Sequence, residues 1–142
     1  MTKRLVYRGS LNGTGQILRR FPVAANQTIY RGDIVILDTG AAKIGTDGAT
    51  AVLGVSDTDI VTGAQVGADD TIFVDINPAS IYRSSYTGSA TPVIGVKYDM
   101  GTAAYQFDSD DTTDGYIQVV GNIDTTAKEA DVILCNRVFG MA

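Results

Sequence analysis

Tyr30-Arg-Gly-Asp-Ile-Val-Ile-Leu-Asp-Thr-Gly40 is the most informative stretch of this 142-residue chain. Its centre, residues 34–37, is a run of four apolar side chains. A short apolar run between turn residues is typical of a strand that is buried on both faces. Gly and Asp, which turns prefer, stand on each side of the run. The stretch therefore predicts one short, fully buried strand between two turns.

The same alternation of short apolar runs and turn residues continues along the rest of the chain. It predicts about ten strands, at residues 4–8, 16–23, 34–37, 41–44, 50–55, 71–76, 93–98, 103–107, 116–120 and 131–139. Short strands with turns every 8 to 12 residues or so indicate a sandwich or a small barrel. Residues 57–70 hold four Asp and few large apolar residues, and we predict a loop there.

The composition also favours an all-β protein. The chain has fifteen Asp but one Glu, together with 16 Gly and 16 Thr. Asp, Gly and Thr are turn and strand residues, whereas Glu favours helices. The one helix candidate is residues 125–130, where Thr126 and Glu129 have capping-box spacing. That segment is too short for more than one or two helical turns, and we interpret it as a turn.

Three similar segments place a Gly inside or beside an apolar run. They contain Gly54, Gly95 and Gly121, at irregular spacing. Glycines inside strands often mark bulges or sharp bends. We therefore predict that all three lie at bulges or at barrel corners.

The residue inventory argues against most enzyme classes. The chain has no His, no Trp and a single Cys, so His-based triads, His-ligated metals and an internal disulfide are excluded. Cys135 lies in an apolar stretch and is predicted to be a buried, inert thiol. We predict no catalytic, cofactor-binding or metal-binding residues and no enzymatic activity. An Asp-based hydrolase ranks last among the alternatives.

Two motifs have a simpler explanation than a binding site. The acidic stretch Asp108-Ser-Asp-Asp-Thr-Thr-Asp114 resembles a calcium loop when Asp110 is placed first, but its twelfth position is Gly121, where a bidentate Glu is required. We interpret these acids as solvated turn residues and leave cation binding open. Arg31-Gly32-Asp33 is interpreted as the turn into the buried strand.

Charge is distributed unevenly along the chain. Residues 1–31 hold six basic residues and no acid, whereas residues 32–142 hold five basic and sixteen acidic residues. Asn12-Gly13 is a strong hairpin signal, so residues 1–20 are predicted to be a basic N-terminal hairpin, or an arm if unpaired, and residues 21–142 the β-barrel body. Two interpretations stay open: the segment lies on its own acidic body, or it reaches an acidic neighbour.

The sequence also disfavours nucleic acids, small molecules and membranes as partners. A pI of 4.4 argues against nucleic acid, and no small-molecule substrate is predicted. The N-terminus lacks a signal-peptide core, and no stretch approaches the 18 apolar residues of a membrane span. We therefore expect synthesis in the cytoplasm, a soluble product and no membrane partner.

The order of segments resembles a known family. The residues that carry the resemblance are Phe21-Pro-Val-Ala-Ala-Asn-Gln-Thr-Ile-Tyr-Arg-Gly-Asp-Ile-Val-Ile-Leu37, Val52-Leu-Gly-Val55, Ile72-Phe-Val-Asp-Ile76, Val93-Ile-Gly-Val-Lys-Tyr-Asp99 and Val132-Ile-Leu-Cys-Asn-Arg137. Together they resemble the β-rich capsid decoration, or cement, proteins of tailed bacteriophages. The resemblance spans residues 21–137 and is a rhythm of Gly and apolar runs.

The resemblance implies a compact β-barrel or β-tulip body, usually a homotrimer, that binds the major capsid protein on the outer surface of the virion. It implies no catalysis. The alternative is a tail or spike component, or a receptor- or carbohydrate-binding module of a virion. The interface with the capsid or with another subunit is predicted to use the basic and apolar residues of the N-terminal segment: Lys3, Arg4, Leu5, Tyr7, Arg8, Ile17, Arg19, Arg20 and Phe21.

Overall fold

The structure, a computed structural model, describes residues 3–140. Within that range the chain forms thirteen strands and no helix, which confirms the all-β prediction. The strands are β1 (Val6–Ser10), β2 (Leu18–Pro22), β3 (Thr28–Ile29), β4 (Ile34–Asp38), β5 (Ala41–Ile44), β6 (Val52–Ser56), β7 (Ile60–Val61), β8 (Thr71–Asp75), β9 (Ser80–Thr87), β10 (Lys97–Tyr98), β11 (Gln106–Asp108), β12 (Ile117–Asp124) and β13 (Glu129–Leu134).

Two larger sheets and one small sheet form the body. The first sheet has the order β1–β9–β13–β12–β10, and β11 pairs with β9 in parallel. The second has the order β2–β8–β6–β4–β5, and β3 pairs with β7 in the small sheet. Neither larger sheet closes on itself within the described range. Of the two architectures considered, the sandwich is therefore the one that fits.

Strand β4, inside the second sheet, packs against apolar side chains on both of its faces. Ile34 and Ile36 of β4 pack in the core that it shares with the first sheet. Val35 and Leu37 pack on its opposite face, together with Ile29 of the small sheet. Alternate side chains of a strand point to opposite faces, so four apolar residues in a row are what a middle layer needs. Ile34 and Val35 are buried, whereas Ile36 and Leu37 are half-buried. The prediction of a strand that packs on both faces is thus confirmed, but its burial is not complete.

Aromatic side chains fill much of the space between the two larger sheets. Phe107 is fully buried and meets Tyr86 edge-on at a centroid distance of 5.3 Å. It stacks against Tyr98 at 5.4 Å. Such pairs add about 0.5–1.5 kcal/mol beyond the area they bury. The tyrosines therefore anchor β9 and β10 to the core.

The N-terminal segment forms neither a hairpin nor a free arm, so that prediction is wrong. β1 pairs with β9 in the first sheet, and β2 pairs with β8 in the second. The Asn12-Gly13 segment crosses from one sheet to the other. Two hydrogen bonds to the segment between β8 and β9 fix its path. The Leu11 N–H donates to the Ala79 carbonyl, and the Asn12 side-chain amide donates to the Asn77 side-chain oxygen. The N-terminal strands thus belong to the same two sheets as the rest of the described chain.

β3 and β9 lie where no strand was predicted, and β9 is an interior strand of the first sheet. The other differences from the predictions are local. Residues 125–128 form the turn of the β12–β13 hairpin, as interpreted. Gly54 and Gly121 lie at register shifts between strands, which confirms two of the three glycine predictions. Gly95 lies in a turn before β10, so the third is wrong. The predicted loop 57–70 contains β7, because Ile60 packs in the core on the outer face of the second sheet.

Candidate functional site

The two outer strands of the basic segment form the candidate binding face. β1 ends the first sheet and β2 ends the second, and within the described range each pairs on one side only. The opposite end of the second sheet is partly covered by the residues that follow β2, since Val23 forms a bridge with Ala42 of β5 and the Ala24 N–H donates to the Ala42 carbonyl. We use the name basic edge face for the basic side chains on these two strands and just before β1, which are Lys3, Arg4, Arg8, Arg19 and Arg20.

The two open edges are protected against indiscriminate strand pairing. The pairing of β1 with β9 shifts register between Tyr7 and Gly9, and β2 ends in Pro22. Bulges, prolines and charged side chains are the usual means of keeping an edge strand from aggregating. The edges are therefore suited to binding through their side chains rather than to adding a strand.

Two of the predicted basic residues are neutralised within the chain. The Lys3 Nζ lies 2.9 Å from the Glu129 Oε2. The Arg4 Nε donates to the Asp33 Oδ1 at 3.0 Å, and its guanidinium lies over the rings of Tyr30 and Tyr105. Arg4 is thus a half-buried structural residue that ties the start of β1 to the turn before β4.

The other three basic residues remain available. Arg8, Arg19 and Arg20 are exposed, and none of them forms an ion pair among residues 3–140. Arg20 lies over the ring of Phe73, which is itself 40% exposed, at 5.0 Å. This part of the edge face presents positive charge next to apolar surface.

The predicted apolar residues are mostly part of the core. Leu5 is 6% exposed and belongs to the core between the sheets. Tyr7 packs edge-on against Tyr82 at 5.7 Å. Ile17 is half-buried, and its N–H donates to the Asp75 Oδ1. Phe21 is half-buried and lies 6.0 Å from Phe139. The predicted interface set is therefore divided between exposed cations and side chains that stabilise the fold.

Two grooves flank β1. One has a volume of about 480 Å³ and opens between the sheets, where Arg4, Tyr7, Gln16 and Arg31 line it. The other has a volume of about 400 Å³ and lies along the outer face, where Arg8 and Arg83 are among its lining residues. Sequence reasoning missed Arg31 and Arg83. The alternating polar and aromatic residues of 80–87 could have indicated that Arg83 points outward, since β9 alternates buried and half-buried positions.

A buried polar network supports the edge face from behind. The Asp75 carboxylate accepts hydrogen bonds from the Ile17 N–H and, at 2.7 Å, from the Tyr82 hydroxyl. The Tyr82 oxygen in turn accepts one from the Gln16 side chain. Burial, followed by the nearby Asp75 charge, raises the pKa of Tyr82 far above its usual range. The hydroxyl therefore stays protonated and holds residues 16 and 17 against β8 and β9.

Arg137 completes this network from the C-terminal side. Its guanidinium donates to the Asp75 carbonyl at 3.3 Å, while its Nε has no partner in the described part of the chain. Burial lowers the pKa of Arg137 to about 10. Arg137 is thus a buried cation that links the end of the chain to β8.

Burial and pairing with cations shift the pKa values of the two acids beside β1, Asp33 and Glu129, in opposite directions. Burial raises the pKa of the Asp33 carboxyl, although hydrogen bonds from the Tyr30 N–H and Arg4 oppose the shift. The hydrogen bond from Lys3 lowers the pKa of Glu129. Both acids serve as partners for cations of the edge face.

The acidic stretch 108–114 is a network of turns. Asp110 accepts hydrogen bonds from the N–H groups of Ser89 and Ala90, which lower its pKa. Asp108 accepts the Asp110 N–H, and Asp111 accepts the Thr113 N–H. No metal-binding group of three or more acidic or Cys side chains occurs among residues 3–140.

Cys135 differs from its prediction. It is half-buried rather than buried, although its N–H still donates to the Tyr116 carbonyl beside β12. Its Sγ donates to the Gln118 Oε1 at 3.7 Å, and burial raises the pKa of the thiol. A raised pKa disfavours the reactive thiolate, so the prediction of an inert thiol stands.

Comparisons with known proteins assign this chain to no family. No protein-family model matches the sequence, and a search of the curated proteins finds no match. In the described range no helix is long and apolar enough to cross a membrane.

Proposed function

We propose that this chain is a structural protein of a bacteriophage particle that decorates the capsid. It binds the major capsid protein on the outer surface of the shell as an oligomer, a trimer by the family resemblance, and bridges neighbouring capsomers. It catalyses no reaction. The resemblance of residues 21–137 suggests the class, and the basic edge face supplies a surface through which such a protein would bind.

The observation that carries the proposal is the position of the unpaired cations. Arg8, Arg19 and Arg20 lie on the outermost strands of both sheets, although the chain as a whole has a net charge of −5. Unpaired positive charge on the outermost strands of both sheets is suited to an acidic protein surface of complementary shape. The grooves beside β1 offer depth for partner side chains.

Weak individual contacts are sufficient for such a role. Exposed ion pairs contribute only about 0–1 kcal/mol each. An oligomer that engages the shell at several places gains from effective concentration, so its total affinity far exceeds that of one subunit. Decoration therefore needs no deep binding site on a single chain.

The test is binding of the purified chain to capsids assembled without it. We expect saturable co-sedimentation with hundreds of copies per shell, weakened by added salt. Arg8→Glu on β1 should raise the concentration needed for half-saturation. Lys97→Glu is the matched control, since Lys97 is an exposed cation on β10, at the other end of the same sheet.

Stoichiometry distinguishes the alternative. A tail or spike component would be present in a handful of copies at one vertex, which labelled particles would reveal in the electron microscope. Failure of the intact chain to bind shells at any salt concentration would refute the decoration role. Equal effects of Arg8→Glu and Lys97→Glu would refute the edge face as the capsid-binding surface.

A further inference from the structure

The groove on the outer face of the first sheet is lined by side chains from three neighbouring strands. Val6 of β1 lies directly opposite Arg83 of β9, and Ser85 of β9 lies directly opposite Glu129 of β13. Opposed residues, and residues two apart in one strand, point to the same face of a sheet. The groove has a volume of about 400 Å³, and these four side chains line it together with Lys3, Arg4 and Arg8. It is therefore one surface, with four cations and one acid along it.

This groove already holds one carboxylate, that of Glu129. The Lys3 Nζ lies 2.9 Å from the Glu129 Oε2, and the Arg83 Nε lies 3.5 Å from the Glu129 Oε1. The hydrogen bond from Lys3 lowers the pKa of Glu129, so the carboxylate stays charged at neutral pH. The chain itself thus shows that this part of the groove accommodates a carboxylate between two cations.

The contact between Lys3 and Glu129 is one that a partner can replace. The Lys3 side chain is 67% exposed, and exposed ion pairs contribute little to stability. Arg83 is held differently, because its Nη1 also lies 3.2 Å from the Asp131 Oδ1. Lys3 is therefore free to exchange one carboxylate for another, whereas Arg83 keeps its position.

Arg8 extends the positive charge of the groove beyond Glu129. It is exposed and forms no ion pair in the part of the chain that the structure describes. Lys3 and Arg8 are five residues apart in sequence, so an extended chain separates them by up to about 17 Å. Val6 between them is 57% exposed and offers apolar surface to the methylene groups of a bound side chain. One carboxylate cannot reach both cations, but an extended segment with several can.

We propose that this groove binds an extended acidic peptide segment of a partner protein, and that Glu129 is an internal competitor which the segment displaces from Lys3. One carboxylate of the segment binds at Lys3 and Arg83, and another binds at Arg8. The proposal rests on the proposed function in that the partner there is a capsid protein. It adds the kind of segment that is bound and the residue that limits the affinity.

The test is a titration of the isotope-labelled intact chain with N-acetylated hexaglutamate amide, followed by amide chemical shifts in NMR spectra at low salt. Like charges keep this peptide extended. We expect the shift changes to concentrate on residues 3–8, 83–85 and 128–130, and the Kd to rise with added salt. An uncharged peptide of the same length, with alternating Gln and Ser, should cause no such changes.

Two acids of the β12–β13 hairpin provide matched variants. Glu129→Gln removes the competitor but keeps the shape of the side chain, so it should lower the Kd by at least about threefold. Asp124→Asn removes the same charge from a carboxyl that the Ala127 and Thr126 N–H groups hold in the turn, also near Arg83 and Lys3. Since Asp124 does not line the groove, its substitution should change the Kd by less than about twofold.

Two cations at opposite ends of the first sheet form the second matched pair. Arg8→Gln should raise the Kd by at least about threefold, because it removes a proposed contact. Lys97→Gln on β10 removes an equal charge outside the groove and should leave the Kd nearly unchanged. The amide spectrum of each variant shows whether it folds.

The unaltered chain provides a measurement that needs no variant. Because the Lys3 hydrogen bond lowers the pKa of Glu129, displacement by the peptide should raise that pKa. Side-chain carboxyl chemical shifts follow it as the pH is varied, and the unlabelled peptide does not contribute to them. This measurement keeps the displacement testable if Glu129→Gln does not fold.

Each outcome supports or overturns the proposal. Shift changes that map elsewhere overturn it, as does an effect of Glu129→Gln no larger than that of Asp124→Asn. An unchanged Glu129 pKa in the saturated complex overturns the displacement, and tighter binding of tripolyphosphate in the same groove overturns the peptide as occupant. A chain that binds the peptide but not shells refutes only decoration, whereas one that binds shells but not the peptide refutes only this proposal.

Discussion

Gly54 and Gly121 have nearly the same backbone conformation in different surroundings. Their φ angles are +150° and +159°, and both lie at register shifts in their sheets. A Cβ at position 54 would lie 1.8 Å from the Asp75 carbonyl oxygen, whereas a Cβ at position 121 would meet nothing within 4 Å. Substituting each glycine by alanine therefore separates the stability lost to backbone strain from the stability lost to a steric clash of the added Cβ.

We predict that Gly54→Ala destabilises the protein by about 3 kcal/mol more than Gly121→Ala. The Gly121 substitution carries only backbone strain, of about 1–3 kcal/mol. The Gly54 substitution must also push β6 away from β8. Urea denaturation of the two variants measures the difference. Equal midpoints and slopes for both would show that β8 yields without cost, contrary to this interpretation.

Tyr82 and Tyr116 offer a second matched pair. The Tyr82 hydroxyl donates to the buried Asp75 carboxylate, and the Tyr116 hydroxyl donates to the Thr46 carbonyl at 3.1 Å. Hydrogen bonds to charged groups contribute about 1.5–3 kcal/mol, and neutral ones about 0.5–1.5 kcal/mol. At neutral pH, Tyr82→Phe should therefore lower the free energy of unfolding more than Tyr116→Phe. The reverse order would contradict the role given to the Asp75 network.

The same tyrosines predict a loss of stability in alkali. Burial raises the pKa of both above the usual value of about 10. Above that pH the unfolded chain releases protons that the folded chain retains, so stability falls by up to about 1.4 kcal/mol per pH unit for each tyrosine. The stability difference between the unaltered chain and Tyr82→Phe should shrink as pH rises above 10. A constant difference in urea titrations would show that Tyr82 ionises normally in the folded state.

Single residues were predicted from the sequence where one local rule is enough. The four apolar residues of β4 were assigned to a strand that packs on both faces from one rule, which is that successive side chains of a strand point to opposite faces. Arg4 could not be placed in this way, since its neutralisation depends on Asp33, which is distant in sequence and brought close by the fold. A basic residue that is exposed and one that is paired inside the fold look the same in a sequence. The sequence alone therefore could not show which of the predicted interface residues are free to bind a partner.

At the scale of elements, the N-terminal strands illustrate a limit of local signals. Asn12-Gly13 favours a two-residue hairpin turn, but β1 and β2 pair with β9 and β8 instead. The apolar residues before and after the turn contribute to different layers, and tertiary packing determines the pairing. The exclusion of helices and the positions of most strands needed no such information, because turn residues mark them directly.

This pairing leads to a prediction about truncation. Removing residues 1–20 should abolish cooperative unfolding or lower the melting temperature sharply, because Leu5 leaves the core and each sheet loses edge pairing. Truncation of one buried Leu alone costs about 2–5 kcal/mol, a large part of a typical stability of about 5–15 kcal/mol. Thermal melts followed by circular dichroism measure the effect.

A charge-only variant is the control for that truncation. Changing the exposed cations Lys3, Arg8, Arg19 and Arg20 to Gln keeps both strands and removes only surface charge. It should melt within a few degrees of the unaltered chain, since exposed charges contribute little to stability. A truncated chain that melts as the intact one does would show that the segment is an arm after all.

At the scale of the whole molecule, binding of this protein should increase the stability of the assembled capsid shell. A ligand that binds the assembled shell and not its free subunits stabilises assembly by RT ln(1 + [L]/Kd), or about 2.7 kcal/mol per site at one hundred times Kd. Because the gain grows with the logarithm of concentration, the temperature at which shells disrupt should keep rising slowly after the binding sites are nearly full.

We therefore predict that shells titrated with this chain disrupt at progressively higher temperature. Arg8→Glu should shift the whole curve to higher protein concentration without changing its slope. The reason is that the variant weakens each contact but bridges the same capsomers once bound. Light scattering of heated shells measures the transition, with Lys97→Glu as the control. A disruption temperature that does not change while binding saturates would mean that the chain coats the shell without bridging it, and the stabilising role would have to be abandoned.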